Sequence, residues 1–315
     1  MIKQHHFSAI TRRGGCCGAW TLRNQLTGSL APLRERSKTG SFLGLRKKIL
    51  NVITYKSKRE IERMRSAGQV IAKVFELVGD LVRPGITTGE IDAKVEEFIR
   101  SEGGKPSFKG YHGFPGSICA SVNDEIVHGI PGDRELVDGD LFTIDVGVII
   151  RGYHGDAARS FPVGAILPDV ARLAEVTADA LNDGIRACCP GNRLSDIARA
   201  VEARGRGDGF GIVEQYVGHG IGTALHEDPQ VPNYVSDSLL KSDLVLKSGL
   251  VIAIEPMFNL GSRDTKTLDD EWTVVTKDGK CSAHFEDTVA ITDDGPVIMT
   301  RPSDRQDLRI WSLSA

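Results

Sequence analysis

The stretch Leu141–Phe161 reads LFTIDVGVIIRGYHGDAARSF, two β-rich runs that meet at Ile150-Arg151-Gly152. A turn centred between Ile150 and Arg151 predicts that Asp145 and Asp156 lie directly opposite each other on one face of an antiparallel pair, Cβ atoms about 5 Å apart. Two like charges facing each other among valines and isoleucines are costly unless something positive lies between them. A bound cation supplies it. The plainer alternative is that one aspartate belongs to a turn and the other is solvated.

Working outward, Ser57 and Glu60 form a capping box, and Ile61, Met64, Ile71, Val74, Phe75 and Val78 recur at helical spacing, so a helix is predicted from residue 57 to about Leu81. Pro84 and Gly85 stop it, Thr87 with Glu90 caps a second helix, and Gly103 and Gly104 end that one. The same design returns about a hundred residues on, with a helix from Pro168 to Ala187, then Pro190-Gly191, then Ser195, Asp196 and Ile197 opening another. Each pair is followed by His-Gly-Ile, at His128-Gly129-Ile130 and His219-Gly220-Ile221. Each half then carries two acids in β-like segments: Asp145 and Asp156, and Glu255 and Glu286. The shared order argues for a duplicated helix–helix–strands unit. Two copies related by a pseudo-twofold axis are expected to merge their strands into one sheet with a site in the cleft between them.

Glu255 sits in LVIAIEPMF, where unpaired burial of a carboxylate costs several kcal/mol, and Glu286 sits in SAHFEDTVAIT. With His219, in YVGHGIGTALHEDP, four carboxylates and one imidazole make an oxygen-rich donor set. It suits Mn²⁺, Fe²⁺, Co²⁺ or Zn²⁺ and is large enough for a pair of ions if Asp156 and Glu286 bridge. Amide hydrolysis is the natural use of such a pair.

Composition narrows the setting. The 315 residues, 40% of them hydrophobic, can fill a real core, and 35 glycines imply tight hairpins and loops. The net charge of −3 divides unevenly: residues 1–50 hold ten Lys/Arg against Glu35, a net of +9, so the remainder carries −12. An acidic body disfavours nucleic-acid binding. The basic stretch is expected to be an extension, 1–50, ahead of a single catalytic domain, 51–315. It reads as an unstructured arm, a mis-assigned start or an organelle transit peptide. Six cysteines without C-x-x-C spacing point to a reducing compartment and away from a zinc ribbon. No uncharged apolar run is long enough to span a bilayer.

These residues together resemble the methionine aminopeptidases, specifically the type I branch. The blocks GYHGFPGSICASVNDEIVHGIP, IDVGVIIRGYHGDAARSF, GHGIGTALHEDPQVPNY, IEPMF and HFEDTVAIT look like that family's signatures in the family's order over about residues 57–300. The resemblance implies the α/β "pita-bread" fold with internal pseudo-twofold symmetry, its antiparallel or mixed sheet covered by two helix pairs. It implies two divalent ions held by Asp145, Asp156, His219, Glu255 and Glu286, Asp156 and Glu286 bridging. Glu255 would also be the general base, His226 would donate to the scissile carbonyl, and His128 would contact the substrate backbone near the leaving amine. Tyr111, Phe114, Cys119, Leu225 and Trp272 would form the pocket for a methionine side chain. Leu225 stands where bacterial relatives commonly carry an aromatic.

The implied activity is removal of the initiator methionine from nascent polypeptides with a small second residue. The implied setting is the cytoplasm, or a mitochondrion or plastid if residues 1–50 are a transit peptide. The enzyme would act as a monomer near the ribosome, with no membrane or nucleic-acid partner. Two alternatives remain: an X-Pro aminopeptidase or prolidase of the same fold, for which the residues before Ser57 supply too little extra domain, and a non-catalytic binding scaffold, which would have lost ligands.

Overall fold

The computed structural model describes residues 52–302, so the basic extension 1–50, with Cys16 and Cys17, lies outside the described residues. The first half runs α1 (Lys58–Leu81), α2 (Thr88–Ser101), β1 (Lys105–Pro106), β2 (Cys119–Val122), β3 (Glu125–Val127), β4 (Leu141–Ile150) and β5 (Tyr153–Pro162). The second runs α3 (Pro168–Arg186), α4 (Leu194–Gly207), β6 (Gly211–Ile212), β7 (Gly218–Gly220), β8 (Glu227–Val231), α5 (Asp237–Lys241) and β9 (Val251–Ile254). It continues with β10 (Met257–Asn259), β11 (Thr265–Thr267), β12 (Val274–Thr276), β13 (Ser282–His284), β14 (Asp287–Thr292) and β15 (Gly295–Ile298).

Helix starts follow local chemistry. The Ser57 N–H donates to the Glu60 carboxylate at 2.8 Å while the Ser57 hydroxyl accepts from the Glu60 N–H, and Thr87 and Glu90 repeat the arrangement. In the second pair α4 starts one residue earlier than expected, because the Asp196 carboxylate takes the Arg193 N–H at 2.8 Å, leaving Ser195 inside the first turn to donate to Asp243 at 2.7 Å.

Burial follows the duplication. One core cluster gathers α1, α2, β4 and β5 around Ile71, Ile91, Phe142 and Ile144; another gathers α3, α4, β9 and β14 around Leu173, Ile197, Ile254 and Val289. A third, smaller cluster with Phe108, Phe114, Cys119, Ile221 and Leu225 joins side chains of both halves. Every strand pair among the described residues is antiparallel.

The single merged sheet expected from sequence is divided into four hydrogen-bonded sheets. The halves meet where β3 pairs with β12 and where β5 passes β14. At the latter the Glu286 N–H donates to Ala158 O at 2.9 Å and Thr288 Oγ1 both accepts the Asp156 N–H, at 3.0 Å, and donates to Asp156 O, at 2.8 Å.

Two further expectations change. In the β4–β5 hairpin Ile150 pairs with Tyr153, so the turn is Arg151-Gly152, both with positive φ (51° and 82°), as a two-residue turn matched to strand twist requires. The centre therefore lies one residue later than predicted. Asp145 opposes Ala158 and Asp156 opposes Gly147, making the two aspartates diagonal neighbours on one face rather than a facing pair. The His-Gly-Ile repeats also differ in backbone: His219 lies within β7, whereas His128 follows β3 with φ 61°.

Candidate metal centre

Asp145 projects from the middle of β4 and Asp156 from β5, His219 from β7, Glu255 from the residue after β9, and Glu286 from the junction of β13 and β14. Each half thus contributes two carboxylates to one place. His219 Nε2 lies 3.9 Å from Asp156 Oδ2 and 3.7 Å from Glu255 Oε1, and donor atoms of Asp156, His219 and Glu286 all fall within 4.8 Å of one another. The Asp145 and Asp156 carboxyls are close enough to shift each other's ionisation.

The electrostatics are those of a site short of positive charge. Burial, then the neighbouring carboxylates, pushes Asp156, Glu255 and Glu286 above the ordinary carboxylate range, and burial does the same to Asp145. Asp145 Oδ1, Asp156 Oδ1 and Glu286 Oε1 are buried with no hydrogen-bond partner. Burial drives the imidazoles the other way, His219 and His284 to about 3 and His128 to about 4, so all are neutral at neutral pH. His219 Nδ1 lies 2.9 Å from Gly220 O, and since a carbonyl only accepts, Nδ1 carries the proton and Nε2 turns its lone pair to the carboxylates.

All twelve side chains singled out from the sequence line one cavity of about 340 Å³. Its apolar wall contains Phe114, Cys119, Leu225 and Trp272, with Phe114 and Trp272 edge to face at 5.1 Å. Cys119 is buried and burial pushes its thiol far up, which suits a wall and not a nucleophile. Tyr111 does more than line the pocket: its hydroxyl lies 2.8 Å from His226 Nδ1.

Sequence reasoning missed several contributors. Phe108, His112, Tyr216 and His284 also line the cavity, and His284 Nε2 lies 4.0 Å from Glu286 Oε2. Asn233 Nδ2 donates to Glu255 O at 2.9 Å. Behind Glu286, Arg159 donates to its backbone carbonyl and to Asp287 Oδ1 (2.6 Å), while Arg301 takes Asp287 Oδ2 (2.7 Å).

The model of metallopeptidase family M24 matches residues 62–293. The chain belongs to this family. Among M24 proteins it is 51% identical to methionine aminopeptidase 1 of Bacillus subtilis over 250 residues, 79% of this chain and all of that protein. The methionine aminopeptidase of Thermotoga maritima superposes with a TM-score of 0.77 at 38% identity, covering 80% of this chain and all of that one. The prolidase of Pyrococcus furiosus shares the fold at a TM-score of 0.65 and 25% identity, with 79% of this chain against 66% of the prolidase. The donor set fits the divalent ions that M24 methionine aminopeptidases use: hard carboxylate oxygens, one imidazole with its second nitrogen fixed, and three buried oxygens that lack any other partner.

Proposed function

We propose that this chain removes the amino-terminal methionine from polypeptides whose second residue is small. The observation that carries the reading is the opening of a carboxylate-rich centre and an apolar wall onto one cavity, so that a residue seated against Phe114, Cys119, Leu225 and Trp272 presents its own backbone amide to the acids.

Asp145, Asp156, His219, Glu255 and Glu286 would hold the divalent ions. When bound, these supply Lewis acidity for water and carbonyl alike. The chain's own residues do the rest. Glu255 accepts the proton of the attacking water and returns it to the departing amine. With the Tyr111 hydroxyl as donor to Nδ1, the tautomer of the neutral His226 that suits the reaction carries its proton on Nε2 and offers it to the carbonyl oxygen as negative charge develops. His128, held in the left-handed region beside the Tyr216 ring at 5.6 Å, contacts the substrate near the leaving amine. Water stays out of the side-chain wall because that wall is apolar.

The same proposal includes action on nascent chains at the ribosome, as a monomer in the cytoplasm. Free thiols at Cys119, Cys188, Cys189 and Cys281 support a reducing setting. With Mn²⁺ or Co²⁺ the protein should release methionine from Met-Ala-Ser and leave Ala-Pro intact, measured by chromatography of the products. Cleavage of Ala-Pro alone would move the chain to the prolidases.

A further inference from the structure

Lys56 is an unusual lysine, only 8% exposed, and lysines that far from water are almost always paired. Its Nζ donates to Glu227 Oε2 at 2.7 Å and to Thr54 Oγ1 at 2.6 Å, and Thr54 Oγ1 donates to the same carboxylate oxygen at 2.5 Å. The other oxygen, Glu227 Oε1, accepts the Ala224 N–H at 3.2 Å. Ala224 and Glu227 bracket Leu225 and His226, so this carboxylate closes the short bend that presents both side chains to the cavity.

The bend rests on the ion pair. A Cβ added to Gly222 would lie 2.5 Å from Glu227 Oε1 and 2.6 Å from Lys56 Cε, so any larger residue would push the ion pair aside. On its far side Gly222 O accepts the His154 N–H at 2.8 Å, and the Lys56 N–H donates to Gly249 O at 2.6 Å, just ahead of β9 and Glu255. One end of His226 is therefore held by Tyr111 and the other, through its backbone, by a segment 170 residues distant in sequence.

We propose that Lys56, assisted by Thr54, is a positioning residue for the reaction: through Glu227 it sets the His226 imidazole against the scissile carbonyl. The inference rests on the assignment of His226 as carbonyl donor. Without Lys56 the half-buried Glu227 carboxylate lacks its cation, so it turns toward water or takes up a proton. Either response opens the bend. An oxyanion donor displaced by about 1 Å can cost about 10²-fold in rate.

The test is kinetic, with the full chain and Mn²⁺. Lys56→Met should lower kcat for Met-Ala-Ser about 10- to 100-fold, with KM within about threefold and Mn²⁺ affinity by titration calorimetry unchanged. Lys56→Arg, which keeps the charge, should recover most of the loss, and Thr54→Val should lower kcat less than Lys56→Met. In a His226→Ala background, Lys56→Met should cost nothing further, because its effect passes through the ring already removed.

Full kcat in Lys56→Met, an equal loss in both backgrounds, or a parallel fall in Mn²⁺ affinity would each overturn the proposal. Should Lys56→Met fail to fold, the same cycle with Thr54→Val decides. The ¹⁵N shifts of the His226 ring report its setting without turnover. They should move in Lys56→Met or, if that does not fold, in Thr54→Val, and unmoved shifts overturn the proposal. Absence of methionine release by the unsubstituted protein would instead overturn the activity reading and leave the ring shifts to decide this one.

Discussion

Glu255 carries two demands at once, since it lies among the candidate metal donors and is assigned the proton transfer. Glu255→Gln keeps the shape and the Asn233 bond to its backbone carbonyl while removing the basic oxygen. It should lower kcat about 10²- to 10⁴-fold with little change in melting temperature; a variant that keeps its kcat would remove Glu255 from the role of base. Tyr111→Phe keeps the ring in the apolar cluster and deletes only the hydroxyl on His226 Nδ1. Both tautomers of His226 then become accessible, and kcat should fall about tenfold, a fraction of the 10²–10³ that a whole oxyanion donor supplies, with KM for methionine peptides nearly unchanged. Steady-state kinetics on Met-Ala-Ser measures both. At this scale the convergence of the four carboxylates was legible because carboxylates in apolar runs are rare and each had a counterpart in the other half. His284 left a signal that went unread: it stands two residues before Glu286, the spacing that puts side chains of an extended chain on one face. Asn233, Arg159 and Lys56 left none, since their partners are remote in sequence.

The β4–β5 hairpin shows what an element's sequence does and does not disclose. Its two runs were plain from β-branched residues, but the register depended on the reversing dipeptide, and Gly152 after Arg151 marked it because both central positions need positive φ. Moving the turn centre by one residue changes which residues oppose one another by two, which leaves each aspartate on its face and alters only its partner. Arginine is a poor residue at φ 51°, while asparagine tolerates that region. Arg151→Asn should therefore stabilise the protein by about 0.5–1 kcal/mol without changing kcat, as read from urea denaturation. The β14 end of the fold depends on Asp287. Burial pushes its carboxyl up, but the Arg159 and Arg301 guanidiniums outweigh burial and hold it below the usual carboxylate range. Asp287→Asn would leave two buried guanidiniums facing an amide and should cost about 3–5 kcal/mol. Because the folded pKa is depressed, the ionised group contributes above the ordinary carboxylate range and the contribution is lost as pH falls below it. The wild-type protein should accordingly lose more stability than the variant on acidification below about pH 4, measured by denaturation at each pH.

At the scale of the molecule, two cores were readable from the repeated helix pairs, but the division into four sheets was not. Glu255 and Glu286 lie either side of an excursion through β10–β13 that has no counterpart in the first half. The halves are joined where β5 passes β14, by the pairing of β3 with β12 and by a shared apolar cluster, so the carboxylates they jointly present act on the stability of the whole. In the metal-free protein burial lifts Asp145 to about 7 and Glu255 to about 8, against about 4 in the unfolded chain. Between those limits the folded state binds protons that the unfolded state has released, so stability falls as pH rises through the window. A divalent ion reverses the sign: it takes the place of those protons, and its affinity grows with pH as they leave more easily. Calorimetric melting in chelator should therefore show a melting temperature that declines from pH 5.5 to 8.5, roughly the window in which these groups ionise. With Mn²⁺ at one fixed concentration, a hundredfold its dissociation constant at about pH 7, the protein should gain about 2.7 kcal/mol there, and the gap between the two curves should widen with pH as the affinity grows. Both halves should melt in one transition, since each supplies two of the carboxylates. A gap independent of pH, or a chelated protein that gains stability toward pH 8, would mean that the four acids are not held at a common site, because solvated carboxylates with ordinary pKa values produce neither the falling curve nor the widening gap.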